Sequence, residues 1–460
     1  MKALGAAWFL LAWATAGGAG PVTLTAAWQA AREHDPTMAG AAAQRDAGAA
    51  RGAQGRALWM PTLAASGSVG LSDMSQRTQG AFFAAPGFGS TNGVDFQTRI
   101  HGGTATRWAF TAEQPLFDLG RFADGAIQKD SERIAAAEYR SAEQDLMVRS
   151  ARAYFDVLNA RSELESLLHL RAAAEQSRGA AQARYEAGDI PSTDAREAQA
   201  SADAIDVQVL DARAAVSLAE AAFSDLTGLD AVELTTVPEA ATADLPAPEA
   251  LETWTQQALA DSPQLAMREL QVSAAASQVN RYDALGSPRV SLVAQLGEDY
   301  LHGNGQSGIA DIAGTDATIG IQASIPLFTG GLRTAQRHEA QALVRAAEAA
   351  RDTAVLQLRQ QTRAAWLALT TAAARVQALQ RLRASAQSRL DATRLGAQIG
   401  ERTTLELLAA EADFQRSGAD FRRAQGDWLL AGLTLKAAAG ELTATDLAQV
   451  DARLAGAAAP

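Results

Sequence analysis

Cysteine is absent from all 460 residues. That removes disulfides, thiol catalysis, cysteine-bearing metal sites and N-terminal lipidation, which needs a cysteine to acylate. Long apolar runs are missing too. Past the N-terminus nothing reaches the roughly 20 uninterrupted apolar residues of a spanning helix. Hydrophobic residues make up 48% of the chain, but much of that is Ala, and the mean hydropathy is −0.09. Basic excess is lacking: 40 Lys+Arg against 52 Asp+Glu leave a net charge of −12 and a pI near 5.0, which argues against nucleic acid as a partner. The basic residues are interspersed with acids, as on solvated helix faces. No phosphate-binding loop, dinucleotide fingerprint, zinc-helix motif or nucleophile elbow is present, so no catalytic or cofactor-binding residue is assigned and the chain is not read as an enzyme. His34, His101, His169, His302 and His338 are scattered, two of them in loops that connect strands, and no metal site is assigned.

What is present begins with a secretory leader. Lys2 is the charged start, Ala3 to Trp13 the apolar run and Ala14-Thr15-Ala16 a cleavage pattern, so 1–19 is read as a signal peptide. Two long stretches poor in breakers, 120–187 and 332–399, are rich in Ala, Glu, Gln, Arg and Leu and read as helices. At 1.5 Å per residue each would reach roughly 100 Å. Apolar pairs seven apart (Tyr139/Leu146, Val148/Phe155) and eleven apart (Leu356/Leu367) suit nearly straight helices packed side by side.

These rods belong to a repeated order. In the first half, 20–227, a helix with an early break at Asp35-Pro36 precedes strands 62–71 and 106–117. The long helix follows, then a turn at Gly188 and a return helix over 192–226. Residues 228–250, with Pro238, Pro246 and Pro248, form a linker expected to sit partway down the rods. The second half, 251–440, repeats the order: a break at Ser262-Pro263, strands 289–297 and 317–327, the second rod, a turn at Gly400 and a return helix over 403–439. A tail, 441–460, is expected to be poorly ordered at its end. The prolines at 36 and 61 recur at 263 and 288, both 227 residues on. Pro115-Leu116-Phe117 recurs at Pro326-Leu327-Phe328, 211 on, and Gly188 at Gly400, 212 on. The offset falls by 16, from 227 to 211, between the paired strands, where the first connecting loop (72–105) is longer than the second (298–316). Length changes belong in loops, so the sequence reads as a duplication.

Each strand has about ten residues, one face apolar and the other small and polar, the length and pattern of a tilted strand in a bilayer. Four such strands cannot close a useful barrel, and three copies would supply twelve. The two turns share Gly, an acid six residues on and Ala ten on: Gly188, Asp194, Ala198 and Gly400, Glu406, Ala410. Ser192 or Thr193, and Thr403 or Thr404, can cap the following helices.

With its duplicated order, Pro-Leu-Phe strand ends and paired turns, the chain resembles the TolC-type outer-membrane efflux family. The resemblance implies a mainly α fold with a transmembrane β-barrel: a homotrimer with a twelve-stranded barrel in outer-membrane lipid and a helical tunnel across the periplasm. It implies a duct that passively conducts substrates from an inner-membrane pump, of ABC or RND type, through a periplasmic adaptor. The turns would form the periplasmic mouth, with Gly188, Thr193, Asp194, Gly400, Arg402 and Glu406 as its residues. Thr193 and Asp194 match the acceptor side of a closing contact and Arg402 the donor. Ala397 stands where the family's tyrosine is expected and Ala409 where a second acid can occur, so a simpler closure is implied. Glu406 from three chains would favour cations. The alternative reading is a periplasmic coiled-coil adaptor or scaffold, which should show one helical hairpin flanked by soluble β domains.

Overall fold

In a computed structural model of the chain, residues 21–87, 89–231, 233–238, 248–283, 287–305 and 308–456 are described. The leader at 1–19 and residues 239–247 of the linker lie outside them. The chain divides into two compact units. One comprises Ala47–Ile134 and Glu269–Ala349, and the other the remaining segments.

The strand-bearing unit holds one antiparallel sheet in the order β1-β2-β3-β4. Its strands are β1 Thr62–Ala85, β2 Gly89–Asp118, β3 Arg289–Gly305 and β4 Gly308–Ser324. All four are longer than their expected ten residues or so, except at the end of β4. The stretches 72–105 and 298–316, read as loops, are mostly strand, and His101 and His302 lie within β2 and β3. Their Gly, Ser, Thr, Asn and Gln content resembles loop, but the cross-strand ladder satisfies the backbone whatever the composition. β4 stops at Ser324 instead of Leu327, since Pro326 has no N–H to donate. β2 does run through Pro115, but only with a register shift between Pro115 and Phe117.

The register sorts the faces. Leu63 pairs with Ala112, Ala65 with Phe110 and Gly67 with Trp108. Phe110 pairs in turn with Leu296 and Ala112 with Ala294. Leu292 then pairs with Ile321 and Ala294 with Ile319. Directly paired residues share a face, so one side of the sheet carries Leu63, Phe110, Leu292, Leu296, Ile319 and Ile321. The opposite side carries Thr111, Gln295 and Thr318, with Arg107 paired to Asp299 and donating to its carboxylate at 2.9 Å.

The helical unit shows why the proline breaks sit where they do. α1 Leu24–His34 ends at Asp35, whose N–H reaches Ala31 O at 2.8 Å. The Asp35 carboxylate then accepts the Thr37 N–H at 3.1 Å and starts α2 Pro36–Ala57, with proline at the first helical position, where its missing N–H costs nothing. Ser262 does the same between α5 Leu251–Asp261 and α6 Pro263–Asp283: its N–H reaches Ala258 O and its hydroxyl accepts from the Leu265 N–H.

The long helices are α3 Leu119–Glu186 and α7 Leu332–Gln398, with return helices α4 Ser192–Thr227 and α8 Thr404–Ala438. On α3, Leu146, Ser150, Tyr154 and Val157 step by four, four and three residues and are all fully buried. Phe155, Phe223, Trp28 and Trp428 join them in the main core, where each large side chain is worth about 1.5–3 kcal/mol. The described part of the linker packs on this core. Tyr154 Oη lies 3.0 Å from both Val22 O and Thr235 O, and Trp366 Nε1, midway along α7, donates to Glu249 O at 2.9 Å. Burial pushes the Tyr154 phenol up to about 12.

The tail holds an element not assigned from the sequence, while its end at 457–460, where poor order is expected, lies outside the described residues. Ala444–Leu454 is a further helix, α9, with Leu447, Val450 and Leu454 in the main core. The Asp451 carboxylate accepts the N–H groups of Leu24 and Thr25 at 2.7 and 2.9 Å, capping α1 from the other end of the chain. Alanine-rich composition concealed an amphipathic helix of three anchors.

Candidate functional site: the two helical turns

Both turns close in the same way. Gly188 has φ +83, its N–H reaches Tyr185 O at 2.9 Å, and the Asp189 N–H returns to Arg184 O at 2.9 Å. Gly400 also has φ +83, its N–H reaches Ala397 O at 3.3 Å, and the Glu401 N–H returns to Gly396 O at 2.9 Å. A left-handed residue followed by a bond spanning five residues is the glycine-dependent helix stop.

The following helices start differently. Thr403 caps α8 as expected. Its hydroxyl accepts the Glu406 N–H at 3.1 Å while the Glu406 carboxylate accepts the Thr403 N–H at 2.8 Å, a reciprocal capping box. Neither Ser192 nor Thr193 caps α4. Pro191 holds the cap position at φ −67 without any side-chain bond, Ser192 is already helical, and Thr193 donates to the Asp194 carboxylate at 3.1 Å.

Arg402 Nη1 donates to Glu406 Oε1 at 2.8 Å, one helical turn on. Within the chain its acceptor is therefore Glu406, not the expected Asp194. The reason is local: the capping box already presents a carboxylate oxygen to the residue before the cap. Gly396 makes room for this arrangement, since a Cβ there would lie 2.7 Å from Arg402 Cγ. The Thr403 N–H first, and Arg402 next, hold the Glu406 carboxyl below its usual range.

Asp194 and Arg402 nonetheless line one cavity of about 860 Å³, walled by the ends of α3, α4, α7 and α8. Arg184, Glu197, Arg394 and Glu411 share it, with Arg394 donating to Glu411 at 3.3 Å. Behind it, Leu170, Ala174, Ala202, Ile205 and Leu408 pack α3, α4 and α8 together. Arg171 pairs with Asp206 at 2.6 Å across the first hairpin, and Arg389 pairs with Asp413 across the second. These cross-hairpin pairs were missed from sequence, yet a signal existed: Arg171 and Asp206 lie 17 and 18 residues from Gly188, as antiparallel neighbours must. Among the described residues no group of three or more His, Asp or Glu is placed to hold a metal ion, and no helix is long and apolar enough to cross a membrane.

A family model described as outer membrane efflux protein matches residues 27–229 and 254–441. The chain belongs to this family. The unmatched stretch between the two segments overlaps the linker at 228–250. The alkaline protease secretion protein AprF of Pseudomonas aeruginosa is 27% identical, over 94% of this chain and 87% of its own length. The outer membrane efflux protein BepC of Brucella suis is 30% identical over 78% and 76%. The crystal structure of the outer membrane protein VceC from Vibrio cholerae matches with a TM-score of 0.70 over 91% of this chain and 96% of its own, at 19% identity, a likeness of fold.

Proposed function

We infer that the chain is an outer-membrane exit duct that passively conducts substrates delivered by an inner-membrane transporter. The observation that carries this reading, beside family membership, is the open sheet. Four strands with one apolar face end in two edges, and edges cannot stand in lipid with their N–H and C=O groups unpaired. Pairing β4 of one copy with β1 of the next removes both edges, and three copies give a twelve-stranded barrel. The apolar face then meets outer-membrane lipid, and the Arg107–Asp299 face lines the lumen.

In this reading α3, α4, α7 and α8 are staves of a periplasmic tunnel. The turns at Gly188 and Gly400 form its mouth, where a periplasmic adaptor docks and an inner-membrane pump of ABC or RND type feeds cargo. One relative is named for protease secretion and another for efflux, and both uses suit such a duct. Thr193, Asp194, Arg402 and Glu406 face or flank the mouth, with three copies of Glu406 favouring cations there. A coiled-coil adaptor would have no use for the apolar sheet face.

The test is fractionation with the outer membrane, a trimer band on unheated gels that heating abolishes, and conductance in planar bilayers. A soluble monomer without conductance would refute the reading. Glu406→Gln keeps the capping acceptor but removes the charge, so cation preference is expected to fall with the fold intact. An unchanged preference removes Glu406 from the mouth.

A further inference from the structure

The sheet is unequal at the end away from its helices. β3 and β4 turn back at Gly305 and Gly308, and Gly305 pairs with Ile100 of β2. β1 and β2 continue from the Met74–Ile100 pair to the Ala85–Gly89 pair. Eleven further residues of β1 at about 3.3 Å each give roughly 35 Å. Over that length the hairpin has no third strand beside it among the described residues. A lone two-stranded hairpin is marginal in water.

This hairpin is also apolar where edges are usually charged. Phe82, Phe83 and Phe96 are 66, 52 and 48% exposed. Between Thr78 and Val94 the sequence has no charged side chain, in a chain that is 20% charged. Identical copies can therefore meet there without like-charge repulsion. The pairs Thr78–Phe96, Ala81–Val94 and Phe83–Thr91 put Phe83 and Phe96 on one face of the hairpin and Phe82 on the other, so the exposed area on the shared face equals about one whole phenylalanine. At roughly 200 Å² per aromatic side chain, three copies offer about 600 Å², too little to hold separate chains together but enough for a contact between copies already tethered in one trimer. Such a contact forms and also opens.

We propose that the tips of three β1–β2 hairpins pack on one another through Phe83 and Phe96, closing the duct at its outer opening. This rests on the trimeric reading, in which edge-to-edge pairing of β1 and β4 stands three hairpins around one axis. It gives the extra length of the first strand pair a task that the barrel itself does not need.

The absence of cysteine makes the test direct. Ala85→Cys in the full-length protein places one thiol per copy at the tip, on the face of Phe83. In outer-membrane vesicles, mild oxidation is expected to give a reductant-sensitive dimer band after boiling. In planar bilayers the oxidised channel is expected to conduct about fivefold less than the same channel after reductant. Adding Phe83→Ser and Phe96→Ser should lower the cross-linking yield about tenfold. A heat-sensitive trimer that forms no disulfide dimer overturns the proposal and leaves the trimeric duct standing. An undiminished yield in the serine variant removes the rings from the contact and overturns it too. Absence of any trimer in the unaltered protein sinks the trimeric reading and the proposal together.

Discussion

Three glycines with nearly the same backbone should respond very differently to alanine. Gly188, Gly400 and Gly440 have φ of +83, +83 and +79. A left-handed alanine costs about 1–2 kcal/mol, and the stiffer unfolded chain returns about 0.4–1 of it. At Gly188 and Gly400 an added Cβ meets nothing within 4 Å, so backbone strain is the whole effect. The net is about 1 kcal/mol, roughly a fivefold rise in local opening. At Gly440 the Cβ would lie 2.6 Å from Asp261 O and 2.9 Å from Ser262 Cα. Both are backbone atoms that cannot swing aside, so overpacking adds about 1–3 kcal/mol. Limited trypsin digestion of the full-length protein in detergent reads this directly, with Arg184 beside the first turn and Lys436 beside Gly440. Under conditions where cleavage follows the open population, Gly188→Ala should be cut about fivefold faster at Arg184. Gly440→Ala should be cut about thirtyfold faster, or more, at Lys436. Equal effects at the two sites would refute the reasoning, since the backbone strain is shared and only the surroundings differ.

Acid should loosen the C-terminal helix. Burial pushes the Asp446 carboxyl up, but bonds from Lys436 and Thr443 outweigh it and leave the pKa below its ordinary 3.8. A depressed carboxyl stabilises the fold above its unfolded pKa and loses that contribution as pH falls through the folded value. Hydrogen exchange over 444–454, corrected for intrinsic rates, should accelerate below about pH 4, and Asp446→Asn should flatten the dependence. Thr403→Ala removes a cap worth about 1 kcal/mol, so exchange in the first turn of α8 should rise roughly fivefold. Glu406→Gln, which keeps the capping acceptor, should change it far less. Tyr154→Phe takes the hydroxyl from between the Val22 and Thr235 carbonyls and should destabilise the helical unit by about 1–2 kcal/mol. A melt of the helical circular dichroism checks this, and an unchanged midpoint would show that the hydroxyl does not hold the linker to α3.

The order of the elements and the ends of the helices were legible in the amino-acid sequence. Pro36, Pro263, Gly188 and Gly400 stop or start helices by sterics confined to a few residues, so the helix bounds came within one or two positions of those found. The alternating strand cores were legible for the same reason: a period of two is written locally. Only tertiary structure decided how far the strands run, because residues 72–105 are held by a partner strand and not by their own preference. It also turned the alanine-rich tail into a docked helix, whose Asp451 caps α1 more than 400 residues away. Contacts across such separations depend on where the whole chain has been folded, and no local pattern carries that information.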